Sequence, residues 1–156
     1  MFREKSSSSP APERTERQRW MAVLARASAA EMTAALTACP PLPPHSRLRG
    51  PEVGLVMARA RAGGGGATFN FGEVSVTRCT VRAGGFTGHA YVTGRDPEGA
   101  ELAARIDAAL QDEALRPPLL HQVVDPLGRA QAERRTEIAA RAAATKVDFF
   151  TMATMR

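Results

Sequence analysis

From Val53 to Asp96 apolar and polar residues alternate with a period of two, and glycines interrupt the alternation. Val53, Leu55 and Met57 alternate with Gly54, Val56 and Ala58, until Arg59 and Arg61 lead into Gly63-Gly64-Gly65-Gly66. This predicts a strand followed by a hairpin with a flexible tip. The period resumes after Thr68 to Phe71, with Val74 and Val76 on one face and Ser75, Thr77, Cys79 and Val81 on the other. Ala83-Gly84-Gly85 turns the chain again. Phe86, Gly88, Ala90 and Val92 then form one face of a third strand, and Thr87, His89, Tyr91 and Thr93 the other. The prediction is an antiparallel meander of about three strands. Such a sheet is marginal alone and must bury a face under helices.

The flanking segments supply those helices, so the fold class is α+β, with cover from both termini. Thr15 with Gln18, and Ser28 with Glu31, are capping-box spacings that start two short helices. Trp20, Val23, Leu24 and Ala27 share a face of the first; Met32, Ala35 and Leu36 share one of the second. The single Trp20 reads as a core anchor or a partner contact. Cys39 to Pro51, with four prolines between residues 40 and 44, reads as an extended connector that leaves His45 in solvent. After the sheet, Asp96 and Pro97 launch a helix whose buried stripe is Leu102, Ala103, Ile106, Ala109 and Leu110, ending before Pro117-Pro118. Leu119 to Val124, which contains His121, reads as an edge strand or packed loop. A last helix runs from Leu127 to about Lys146, with few large apolar residues. Residues 1–14 read as a disordered tail, 15–152 as one domain and 153–156 as a short tail.

Composition narrows the function. Aromatic residues make up 5% of the 156, so the core is thin and burial against a partner is expected. The net charge of +5 invites nucleic acid. Against that, the arginines are spread along the chain among Glu and Asp, with no basic stripe and few aromatics to stack on bases. A small basic nucleic-acid-binding module is the competing class. Two cysteines, Cys39 and Cys79, have no metal-ligand spacing. No apolar run reaches membrane-spanning length, and Met1 to Pro12 lacks the apolar centre of a secretory signal. The expected setting is cytoplasmic, with reduced thiols.

No nucleophile elbow, phosphate-binding loop, zinc-helix motif or dinucleotide fingerprint is present. The polar candidates are Arg78, His89 and Arg95, a guanidinium and imidazole set able to contact a phosphate or phosphonate. Asp96 beside them serves the turn and helix cap. No catalytic residue, resident cofactor or metal is assigned. Phe149 and Phe150, adjacent in Val147-Asp148-Phe149-Phe150-Thr151-Met152, point to opposite sides of an extended segment, so the chain either buries both against its own core or leaves a partner contact there for another subunit.

Four segments carry a family resemblance: Arg17-Gln18-Arg19-Trp20-Met21 with Val23-Leu24-Ala25; Gly54-Leu55-Val56 with Thr77-Arg78-Cys79 and Val81-Arg82; Gly88-His89-Ala90-Tyr91-Val92 with Gly94-Arg95-Asp96; and Ala144 to Met152. Together they resemble the PhnG family of the bacterial carbon-phosphorus lyase system for phosphonate use. The resemblance implies a cytoplasmic subunit that works with PhnH, PhnI and PhnL in alpha-D-ribose 1-methylphosphonate 5-triphosphate synthase, where a phosphonate displaces adenine from ATP. It further implies a core assembly that includes the iron-sulfur radical enzyme PhnJ. ATP is then a substrate of the complex, with the catalytic residues on a partner chain. The Ser-rich start and the Pro-rich connector depart from the family pattern.

Overall fold

The computed structural model describes residues 15–61 and 66–146. The expected amino-terminal tail, most of the glycine tip, and Phe149 and Phe150 lie outside them. Both capping boxes form. They start α1 (Glu16–Leu24) and α2 (Ala29–Leu36), each with the side-chain and backbone bonds reciprocated.

The sheet is the three-stranded antiparallel meander in the order β1-β2-β3, with β1 His45–Arg61, β2 Thr68–Ala83 and β3 Phe86–Thr93. The first strand starts inside the expected connector. His45 already pairs with Ala83, and Pro51 sits within β1. The strand passes the proline by slipping register on either side of it, with Gly50 at φ 67° and a cis Gly50–Pro51 bond. Only an edge strand tolerates this, because the missing N–H is not needed by a second neighbour.

One face of β2 and β3 builds the core. Thr77, Cys79, Val81 and Ala83 alternate with more exposed neighbours, as do Gly88, Ala90 and Val92. Against them packs α3 (Pro97–Leu110), capped by Asp96. Its stripe holds Ala103, Ile106, Ala109 and Leu110 as expected, together with Ala104, Ala108 and one carboxylate, Asp107. Small side chains allow a close approach: a Cβ on Gly88 would run into the Ala104 carbonyl oxygen and lie 2.7 Å from the Ala108 nitrogen. Trp20, 4% exposed, and Leu24 of α1 and Met32 of α2 join this core, as do Leu119, Val123 and Leu127 later in the chain. Trp20 is thus spent inside the chain and presents no surface to a partner.

The helix α3 ends before Pro117-Pro118 as expected, and the prolines then open a further helix. Pro117 and Pro118 lie in the first turn of α4 (Arg116–Leu119), where a missing N–H costs nothing. Leu120–Val124 is a π-helical turn, neither strand nor loop, and it runs directly into α5 (Asp125–Ala144). His121 is exposed there. The first half of α5 is tied down by Leu127 and by Gln131, whose Nε2 donates to the Val23 carbonyl at 2.9 Å. Glu31 adds an ion pair to Arg134 at 2.7 Å. From Ala132 to Lys146 every residue is exposed.

Candidate functional site

Three polar clusters surround the sheet. The first is on its open face, where alternation places the side chains that the core cannot take. Arg78 pairs with Glu52 on β1 and Tyr91 on β3, and Thr80 pairs with His89. Arg78 and His89 are therefore diagonal neighbours on one face, as the meander predicts. Glu52 answers Arg78 at 2.9 Å and Arg49 at 3.2 Å, and the Arg78 bond holds its carboxyl below the usual range. The His89 Nδ1 lies 3.2 Å from the Thr80 hydroxyl. Arg95 is exposed beyond the end of β3, after Gly94 donates to Ser75 and before Asp96 donates to Thr77. Arg78 and His89 are thus neighbours on the strands, and Arg95 lies outside them, past the turn at Gly94.

The second cluster joins β1 to α3. Glu101 accepts from Arg47 through Nε at 2.9 Å and Nη2 at 2.7 Å, and its Oε1 is 2.7 Å from His45 Nε2. His45 is half-buried on the strand, not free in a loop. Arg47, and after it the His45 contact, lowers the Glu101 pKa. A lowered folded-state pKa means stability that is present above the ordinary glutamate value of about 4.3 and is lost as pH falls through the folded one. Chemical denaturation between neutral and acid pH is expected to show a smaller acid loss in Glu101→Gln than in the wild type. Equal losses would remove Glu101 as a contributor.

The third cluster is buried and was not foreseen. Asp107, with no exposed surface, accepts from Arg17 Nε at 3.2 Å, Arg17 Nη2 at 2.8 Å, Trp20 Nε1 at 2.8 Å and the His89 backbone N–H at 2.9 Å. Arg17 Nη2 and Gln111 Nε2 also donate to the Thr87 carbonyl, at 3.2 and 2.8 Å. The arginine is a planar fork on a carboxylate, a geometry that lysine cannot supply. These side chains occupy the outer edge of β3 where a fourth strand would pair, a usual protection of edge strands. One signal in the sequence marked the site: Asp107 is a carboxylate within the stripe of Ala103, Ile106 and Leu110.

None of these clusters is an acid-base or nucleophilic set. Each carboxylate is paired with a guanidinium, and Cys79 is buried with its thiol pKa raised by desolvation. Among the described residues no group of His, Cys, Asp and Glu gathers as metal ligands, and no helix is long and apolar enough to cross a membrane.

The largest departure from an ordinary surface is apolar. Beyond the pair Val76 and Thr93, β1 and β2 continue without β3 as a two-stranded ribbon to Arg61 and Thr68. Leu55, Met57 and Phe71 are 63%, 53% and 75% exposed on it, and Val56, Phe69 and Val74 are also open. An isolated two-stranded ribbon is marginal in water, and so many apolar groups mark a surface meant for cover.

The sequence model for the family described as "Phosphonate metabolism protein PhnG" matches residues 15–154. The chain is also 45% identical, over 140 residues and 88% of each chain, to a curated protein of Rhizobium meliloti (strain 1021). That protein is named Alpha-D-ribose 1-methylphosphonate 5-triphosphate synthase subunit PhnG.

Proposed function

The chain belongs to the PhnG family, and we propose that it is the PhnG subunit of an alpha-D-ribose 1-methylphosphonate 5-triphosphate synthase. The observation that carries this is the 45% identity over 88% of both chains to a subunit of that name. Its role in catalysis is exercised at the level of the complex. Partner chains of the PhnI, PhnH and PhnL type supply the groups that displace adenine from ATP by a phosphonate, and a PhnJ-type chain joins the larger assembly. Two features of this chain support that division of labour: the carboxylates of its three polar clusters, Glu52, Glu101 and Asp107, are held in ion pairs, and its ribbon is apolar on the outside. The use of ATP suits a cytoplasmic setting. Phe149 and Phe150 are proposed as a further partner anchor.

Co-expression with PhnI-type and PhnH-type subunits, a tag on this chain and light scattering on the eluate test the assignment. A heteromer of defined mass is expected; a lone monomer would contradict it. The ribbon gives a finer prediction. Leu55→Ser with Phe71→Ser removes two exposed apolar groups, so stability should stay within about 0.5 kcal/mol of wild type. Co-purification should nonetheless fall sharply, and undiminished recovery of partners would show that the ribbon is not the contact.

A second reading places a phosphonate or phosphate oxygen against Arg78 and His89, supported by their shared open face and requiring the oxygen to share or displace Glu52 at Arg78. Synthase activity unchanged in Arg78→Ala would end it. The nucleic-acid reading has no comparable support, since the arginines at 47, 49, 78 and 134 are each engaged by a carboxylate.

A further inference from the structure

Among the described residues, side chains close the outer edge of β3 over half its length and leave the other half open. Neighbouring residues of a strand turn their N–H and C=O groups to opposite sides, so one known direction fixes the rest. The His89 N–H reaches outward to Asp107 and the Thr87 carbonyl outward to Arg17 and Gln111. Gly94, in the opposite phase, donates inward to Ser75 at 2.7 Å. The outward set therefore continues with the His89 carbonyl, both backbone groups of Tyr91 and the Thr93 N–H. The side-chain plug stops short of them.

Beside this open half lies a pocket of about 200 Å³. Met21 and Ala22 of α1 and the Ala25 that caps it form one wall, Ala103 of α3 contributes to it, and the His89 to Tyr91 stretch forms the other side. Its volume is below the range of about 300 to 1,000 Å³ usual for small-molecule sites. It suits one aliphatic side chain. An unpaired run of strand backbone next to an apolar pocket is the arrangement by which an extended peptide adds to a sheet, with backbone bonds giving affinity and the pocket giving selectivity.

We propose that the edge from His89 to Thr93 is a strand-addition site for an extended segment of a different polypeptide. This rests on the subunit reading and names a surface for it. The segment carries an aliphatic residue for the pocket and an acidic residue beside the exposed Arg95. A second copy of this chain is a poor occupant. Antiparallel self-pairing centred on Tyr91 would set the Arg95 of one copy against Thr87 of the other, where Arg17 already sits, and like charges opposed across a strand pair are unfavourable.

The test uses the complex co-expressed with the PhnI-type and PhnH-type subunits. Tyr91→Pro removes an outward N–H and leaves the bonds to β2 in place, as proline does on an edge strand. Tyr91→Val, which keeps the N–H, is its control, and Ala22→Leu fills the pocket without touching the edge. The expected result is a complex at least about tenfold weaker for Tyr91→Pro and for Ala22→Leu, near wild-type affinity for Tyr91→Val, and slowed amide exchange at Tyr91 and Thr93 in the wild-type complex. A normal heteromer from both disruptive variants, with those amides exchanging as in the free chain, would overturn the edge site while leaving the subunit reading intact. If wild type forms no heteromer, both are overturned.

Discussion

Asp107→Ala is expected to destabilise the chain by about 3 to 5 kcal/mol, the cost of breaking a buried charged pair from one side. The carboxylate is fully buried and satisfies four donor groups. Arg17, with 39% of its side chain exposed, can turn to solvent once its partner is gone. The buried Trp20 indole cannot, the part-buried His89 amide loses the same acceptor, and a buried donor left without one costs about 1 to 3 kcal/mol. Arg17→Ala leaves the fully buried Asp107 carboxylate without its counter-charge and should cost a comparable amount, by stranding a charge instead of its donors. Urea unfolding with an unchanged slope checks both losses. A loss below about 1 kcal/mol for Asp107→Ala would mean that α1, α3 and β3 are held together by apolar contact alone.

Gly88→Ala is the second large effect, from a different cause. The added methyl group has nowhere to go: it would meet the Ala104 carbonyl oxygen and lie 2.9 Å from the Ala108 Cβ. Both neighbours belong to α3, so relief requires the helix to lift from the sheet. The expected cost is about 3 kcal/mol, the upper part of the usual range for overpacking. Gly54→Ala is the natural control, because a Cβ there meets nothing within 4 Å. A melting temperature lowered in the first and kept in the second supports the packing described. Equal behaviour would show that the α3 and β3 contact has slack.

Much of the architecture is written in local pattern. The capping pairs at Thr15 and Ser28, the Asp96 and Pro97 helix start, and the period of two through β2 and β3 each have a cause within a few residues. Where the sequence misleads, a neighbour decides. Pro51 breaks a central strand but not an edge strand, and Pro117-Pro118 ends one helix or begins another depending on the turn before it. Arg17 and Asp107 are 90 residues apart, and nothing local pairs them. The ribbon is the opposite case. Val53, Leu55 and Met57 alternate as they would in a covered strand, and only the position of the helices leaves them open. Of the proposed contact residues, Arg78 and His89 share a face because the meander is correct. Trp20 is withdrawn into the core because its indole N–H has a buried acceptor.

Membership of a synthase is the claim on which the proposed contacts depend. The most direct measurement is adenine release from ATP in the presence of methylphosphonate, with the PhnI-type, PhnH-type and PhnL-type subunits present and this chain either included or omitted. The account predicts no release above background without it and restored release when it is added back. Release at the same rate without this chain would contradict it.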